Sequence, residues 1–220
     1  ENDLTNMPVQ LERRDGEPLT VAVPFPSGDI HARIWRVQVG RVPLFLLDTN
    51  TDLNTRSVDR GITNRLYAGD QELRIQQEII LGIGGVCALR ALGYDPNVFH
   101  MNEGHSAFLA VERIRDLMAR EEIDFDTARE VVAAGNVFTT HTPVPAGIDR
   151  FSEELVLRYL GHMLPKLGLN EQQLLDLGRS QAGRTGGPFS MAVLALKLSD
   201  YHNGVSELHG QVSRHLWETA

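Results

Sequence analysis

The chain has 220 residues, with 21 Lys and Arg against 29 Asp and Glu, for a formal net charge of −8. That length suffices for one α/β domain with its own core, and the acidic balance, with no Lys/Arg cluster, removes the electrostatic footprint a nucleic-acid partner needs. No apolar run approaches the roughly 20 residues that cross a bilayer, no secretory leader pattern opens the chain, and the one cysteine, Cys87, cannot make an internal disulfide, which fits a reducing cytoplasm.

Residues 19–24, 29–39 and 42–47 read as strands: the second alternates Ile30, Ala32 and Ile34 with His31, Arg33 and Arg36, and the third is a continuous apolar run expected to be buried. Residues 70–92 read as one long helix, because Leu73, Ile79, Ile80, Ile83, Val86, Cys87 and Leu89 recur at three- and four-residue spacing, and Gly93 supplies a stop. Gly82, Gly84 and Gly85 oppose that reading, each at a cost of about 1 kcal/mol against Ala, so tight helix packing is the expected compensation. A phosphate-cradling glycine loop would sit between strand and helix, whereas this run lies inside the helical pattern.

A strand at 98–101 is followed by an amphipathic helix at 105–123 carrying Phe108, Leu109, Val111, Ile114, Leu117 and Met118, a further helix at 126–134 and a strand at 137–140. Helix, strand, helix, helix, strand is the order of a Rossmann-like α/β fold, a parallel sheet with covering helices. The remainder reads as helix at 153–167, a short helix at 171–177, a Gly/Pro loop at 181–188, an apolar segment at 191–198 and a last helix at 204–217. No linker divides the chain, so residues 1–220 are expected to form a single domain.

Two segments hold most of the chemistry. Val98–Phe99–His100–Met101–Asn102–Glu103–Gly104–His105–Ser106 and Val137–Phe138–Thr139–Thr140–His141–Thr142–Pro143 each run from apolar strand into polar groups. In an open α/β sheet ligands bind outside the carboxyl ends of such strands, so Glu103, His105 and His141 are expected to converge on one cleft. Helix capping would explain Glu103 but leave His105 without a task. Pro143 and Pro145 stiffen the chain after His141, and Pro143 extends Thr142, which aims the His141 carbonyl. Arg74 stands one turn before Glu78, as an exposed i,i+4 pair or as a cleft residue, and Asp48–Thr49–Asn50–Thr51–Asp52 can close its own turn. His100, Glu103, His105 and His141 would suffice for a catalytic zinc, but His100 alternates with Met101 along the strand and is expected to point into the helix layer. No metal site is therefore expected.

The blocks Asn102–Glu103–Gly104–His105–Ser106–Ala107–Phe108–Leu109, Thr140–His141–Thr142–Pro143–Val144–Pro145–Ala146–Gly147 and Tyr201–His202–Asn203–Gly204–Val205–Ser206–Glu207–Leu208–His209–Gly210, with Glu72–Leu73–Arg74 and the residues after it, resemble the bacterial and archaeal branch of the α-glucan (glycogen, starch, maltodextrin) phosphorylases. The resemblance runs from about residue 7 to residue 217 and implies the later part of the amino-terminal lobe of a GT-B glycosyltransferase, the second lobe having no counterpart. It implies phosphorolysis of an α-1,4-glucan or maltodextrin by inorganic phosphate to glucose 1-phosphate with retention, in a cytoplasmic homodimer. His141, Glu103 and His105 are then the catalytic residues, with the His141 carbonyl facing the anomeric centre, and Arg74, Asn102 and Thr142 bind substrate. The implied cofactor, pyridoxal 5′-phosphate, belongs to the second lobe. Lys166 and Lys197 lie in no matching block, so this chain is expected to bind none. The family's first-lobe glycine-rich loop is missing, and Arg65–Leu66–Tyr67–Ala68–Gly69–Asp70 lacks the asparagine-rich gate of the animal and plant enzymes. The alternatives are a glycogen or starch synthase lobe, or a non-catalytic sugar-binding domain.

Overall fold

The computed structural model describes residues 7–65, 70–141, 148–180 and 187–217. Thr142, Pro143 and Pro145, residues 181–186 of the Gly/Pro loop and residues 66–69 of the short loop without the gate lie outside them. Two sheets and a long helix between them organise the fold.

The first sheet is antiparallel. After the short strand β1 (Gln10–Leu11) and the β2–β3 hairpin (Arg13–Arg14, Glu17–Pro18), β4 (Thr20–Val23) pairs with the first half of β5 (Ile30–Val39) and β1 with its second half, while β6 (Val42–Asp48) runs along the other edge of β5. Ile30, Ala32 and Ile34 are buried as their alternation predicts. β6 corrects the expectation of a buried strand: Val42, Leu44 and Leu46 are 60, 49 and 43% exposed. Strand side chains alternate in direction, and only one face of this sheet is covered. The polar stretch after β6 is a turn, with the Asn50 N–H donating to Asp48 Oδ1 at 2.9 Å, as its composition suggests.

Past the short helix α1 (Ser57–Arg60), the long helix is continuous but not uniform. Asp70 caps α2 (Gln71–Ile79) by accepting from the Leu73 N–H, a wider π-type turn follows at Ile80–Gly84, and α3 (Gly85–Ala91) completes it before Gly93, at φ +81°. The glycine run is explained by contact. A Cβ on Gly82 would stand 2.8 Å from Leu109 N and 2.9 Å from Phe108 Cβ, and one on Gly84 would stand 3.0 Å from Val23 Cγ2. This helix therefore fills the space between the antiparallel sheet and the helix after β7, and only glycine allows both approaches.

The second sheet is parallel, with β7 (Phe99–Asn102), β8 (Asn136–Thr140) and β11 (Tyr201–Gly204) in the order β11–β8–β7. A 3₁₀ turn at Gly104–Ser106 leads into α4 (Phe108–Glu121), and α5 (Phe125–Ala134) returns the chain to β8. From β8 the chain passes through β9 (Arg150–Phe151), α6 (Glu153–Leu160), α7 (Leu164–Leu167), α8 (Glu171–Leu177), β10 (Phe189–Ser190) and α9 (Met191–Lys197) to reach β11, and α10 (Glu207–Leu216) ends the described chain. Met101, Phe108, Phe138, Phe151 and Phe189 are fully buried at the centre.

Sequence patterning holds for most of the helices and for β7 and β8 but, besides β6, needs three further corrections. The fold is mixed, because the first strands form their own antiparallel sheet instead of extending a parallel one. Residues 201–203, which the pattern assigns to no element, and Gly204, the expected start of the last helix, form a parallel strand; β8 offers them a ladder, and Ser206 supplies the cap that starts α10 by accepting from the His209 N–H. His100 points away from the helix layer: Met101 takes the core side, leaving His100 exposed and hydrogen-bonded through Nε2 to Thr139 Oγ1 at 2.6 Å.

Candidate active site

Both signature loops leave the carboxyl ends of adjacent parallel strands, β7 and β8, where α/β folds bind ligands. The Glu103 N–H donates to Thr139 O at 2.9 Å, extending the β7–β8 ladder by one bond. Glu103 has φ 67° and ψ 176°, a region close to glycine-only that costs about 1–3 kcal/mol. Gly104 follows for a packing reason: a Cβ there would meet Ala192 N and Met191 C at 2.9 Å each. The loop is thus wedged against the start of α9.

Two groups of contacts diverge from it. In the first, Glu103 does not cap the following helix; its carboxylate accepts the backbone N–H of His141, and the His141 ring bonds through Nε2 to the Asn102 side-chain carbonyl. With the Asn102 carbonyl accepting, Nε2 carries the proton. Beneath this lies a ladder across all three strands, His100 Nε2 to Thr139 Oγ1 and Thr139 Oγ1 to Asn203 Oδ1 at 2.9 Å. If Thr139 donates to Asn203, its oxygen is left to accept from His100.

In the second, His105 Nδ1 lies 2.8 Å from Asp149 Oδ2. Arg74 donates to both oxygens of the same carboxylate, Nε to Oδ1 at 3.2 Å and Nη2 to Oδ2 at 2.9 Å. Glu78 faces this group from one turn along α2, with Oε1 at 3.3 Å from Arg74 Nε and 3.7 Å from His105 Nδ1, too far from the ring for a hydrogen bond. The Arg74–Glu78 pair exists but is not the exposed pair the sequence allows, because Glu78 is 2% exposed. Its depth decides its charge: burial pushes the Glu78 carboxyl up to about 8 against the pull of His105 and Arg74. The hydrogen bond to Asp149, followed by the Glu78 carboxyl, pushes the His105 imidazole up to about 9. Burial works to raise Asp149 as well, yet hydrogen bonds with His105 and Arg74 hold it well below the usual carboxylate range. The shifts thus favour a protonated Glu78 and a protonated His105 around an ionised Asp149 held by Arg74.

Of Glu103, His105 and His141, the three expected on one cleft, the fold joins Glu103 to His141, with Asn102 on the His141 ring. His105, one residue beyond Gly104, joins Arg74 instead. The four residues considered for zinc are divided between separate partners. Glu78, His105 and Asp149 do place ligand atoms within 4.8 Å of one another, but the Arg74 Nη2 stands 2.9 Å from both His105 Nδ1 and Asp149 Oδ2, a cation already in the position a metal would take. Sequence reasoning missed Asp149, Thr139 and Asn203 as site groups. The only available signal was their place within or beside the signature blocks.

A mixed α/β fold whose parallel strands end in polar loops, one of them with a strained residue, belongs to the class in which ligands are bound outside the carboxyl ends of the strands. The comparisons with known proteins narrow the class. Residues 69–216 match the family model described as carbohydrate phosphorylase. The chain is 48% identical to a glycogen phosphorylase of Mycobacterium tuberculosis (strain CDC 1551 / Oshkosh) over 96% of its own length and 26% of that protein. It is 43% identical to the maltodextrin phosphorylase of Thermococcus litoralis over 96% and 24%, and 32% identical to a glycogen phosphorylase of Aquifex aeolicus over 99% and 31%. The chain belongs to the carbohydrate phosphorylase family, and it spans about a quarter of the length of the first two of these relatives.

Proposed function

We propose that the β7 and β8 loops form one wall of the sugar site of an α-glucan phosphorylase lobe of GT-B type, acting on α-1,4-glucan or maltodextrin and inorganic phosphate to give glucose 1-phosphate with retained configuration. The observation that carries this reading is the double clamp on His141, whose amide is held by Glu103 and whose ring is held by Asn102. With amide and ring fixed, the residue presents its carbonyl in a narrow range of directions, and a pre-aimed dipole stabilises the positive charge that develops at an anomeric carbon. The clamp is built from residues before His141 and holds it independently of the prolines that follow. Asn102 turns its carbonyl to His141 and keeps its NH₂ for a sugar hydroxyl, His105 and Arg74 supply donors beside it, and Thr142 continues the same loop.

Among the described residues, neither Lys166 nor Lys197 is placed to hold pyridoxal 5′-phosphate at the sheet ends. Lys197 Nζ donates to the carbonyls of Asp176 and Arg179 at 2.7 and 2.6 Å, away from the sheet ends, and Lys166 lies in α7. The cofactor and the phosphate-binding groups are proposed to be held by the parts of the family protein that these 220 residues do not span. Among the described residues no helix is long and apolar enough to cross a membrane, and a cytoplasmic homodimer is the proposed setting of the whole protein.

The reading is tested by titrating the ¹⁵N-labelled chain with maltoheptaose while assaying phosphorolysis. Millimolar binding, with amide shifts at Gly104, His105 and His141 and no glucose 1-phosphate formed, is expected, since a single open wall buries little of its ligand. Sugar-induced shifts confined to other surfaces would overturn the placement of the site.

A further inference from the structure

Within the charged group beside the sheet ends, Asp149 is the one member with a direct hydrogen bond to His105 and to Arg74 alike, and nothing in the family comparison singles it out. We infer that Asp149 is a positioning residue, which holds the His105 ring by Nδ1–H so that Nε2–H is presented as a donor to a sugar hydroxyl in the cleft. The inference rests on the proposed sugar site.

Geometry favours the proton on Nδ1. Asp149 Oδ2 is 2.8 Å away and can only accept, so an unprotonated Nδ1 would set lone pair against lone pair at that distance. Arg74 Nη2 also lies 2.9 Å from Nδ1, but that nitrogen is already bonded to Oδ2 at 2.9 Å and does not need the ring as acceptor. Asp149 is in turn held by two guanidinium bonds, a pairing that fixes its plane as well as its position. A carboxylate pinned in this way pins the imidazole.

The second proton follows from the charges around the ring. Glu78 and Arg74 face it from α2 and Asp149 from the segment before β9; the start of α9 packs against the same loop with Met191 and Ala192, which carry no charge, and the carboxylate of Glu103 is turned to the His141 amide. One firmly ionised carboxylate in contact outweighs the guanidinium it shares, and a doubly protonated ring results. Among the described residues Nε2 has no hydrogen-bond partner, and the His105 side chain is 30% exposed. The free edge of the ring therefore opens toward ligand and solvent. A cationic N–H donor binds a neutral hydroxyl more strongly than a neutral one does.

The experiment is long-range ¹H–¹⁵N correlation on the whole chain labelled at histidine, for the wild type and for Asp149→Asn, Asp149→Glu and Glu78→Gln, each followed through pH and with added maltoheptaose. The wild-type ring is expected to be doubly protonated at pH 7. Asp149→Asn should return its midpoint from about 9 toward the ordinary 6.5 and weaken maltoheptaose about tenfold above that midpoint, with recovery at lower pH; Asp149→Glu should restore part of both; Glu78→Gln should leave the ring charged. A neutral wild-type His105 at pH 7 overturns the inference, as does a ring that follows Glu78→Gln instead of Asp149→Asn. The wild-type titration decides the question even if Asp149→Asn proves poorly folded. Maltoheptaose that binds wild type and Asp149→Asn equally removes the positioning role, whereas a ring that behaves as expected in a chain that binds no sugar refutes the proposed function and leaves the Asp149–His105 geometry standing.

Discussion

Glu103 and His105 flank a single glycine, and the two are held by different physics. The Glu103 contacts are short-range in the sheet: its partners are the backbone and side chains at the ends of β7 and β8, placed by parallel register, and its own backbone is strained at φ 67°. The His105 contacts are long-range in the chain, reaching 31 residues back to Arg74 and 44 forward to Asp149, and they depend on burial and charge. One side of the loop is thus set by strand pairing, and the other by how the long helix packs beneath it. The first should respond to backbone changes, and the second to protonation.

The largest effect is expected where both sides share a support. Gly104→Ala places a methyl group against the backbone of Met191 and Ala192, with no flexible side chain to yield, and overpacking of this kind costs about 1–3 kcal/mol. Chemical denaturation reads it directly, and an unchanged midpoint would mean that the loop is not wedged.

Glu103→Gly separates the two sides. Relief of about 1–3 kcal/mol of backbone strain offsets loss of a charged hydrogen bond worth about 1.5–3 kcal/mol, so stability should change little while maltoheptaose shifts at His141 disappear and the His105 ring keeps its charge. If the His105 ring loses its charge in this variant, the division between the two sides is wrong.

Glu78→Gln tests the charged side through pH. Folding raises the Glu78 carboxyl from its ordinary 4.5 to about 8 and His105 from 6.5 to about 9, so the stability each contributes is full below the ordinary value and is lost as pH rises through the folded one. Asp149 is depressed, and its contribution is present above 3.8 and lost in acid. Wild-type melting temperature should therefore fall between about pH 5 and pH 9, and the Gln variant should fall less up to pH 8. Parallel curves for the two proteins would contradict a buried protonated Glu78.

A last pair of variants concerns the helix that carries Arg74 and Glu78. Nothing lies within 4 Å of a Cβ on Gly85, so Gly85→Ala should stabilise by up to about 1 kcal/mol, while Gly82→Ala should lose more than that to contact with Phe108 and Leu109. Equal responses at the two positions would remove the account of the glycine run.

The amino-acid sequence determined the elements and the place of the site. Apolar periods of two and near 3.6 marked β5, the long helix, α4 and α5, and the apolar-to-polar stops at Met101 and Thr140 put Asn102, Glu103 and His141 at neighbouring sheet ends, because local pattern and parallel pairing act over short stretches of chain. Three things were decided only by the tertiary structure. Residues 201–204 are polar and without alternation, so their strand exists only because β8 provides a ladder. The open face of β6 depends on what covers the sheet, which no alternation within β6 encodes. Asp149 gains its role from Arg74, 75 residues earlier, and His105, and Glu78 becomes a neutral acid only once packing removes it from water. Charge state and partner choice at a buried cluster are properties of its surroundings, and those surroundings are assembled from segments that local pattern cannot bring together.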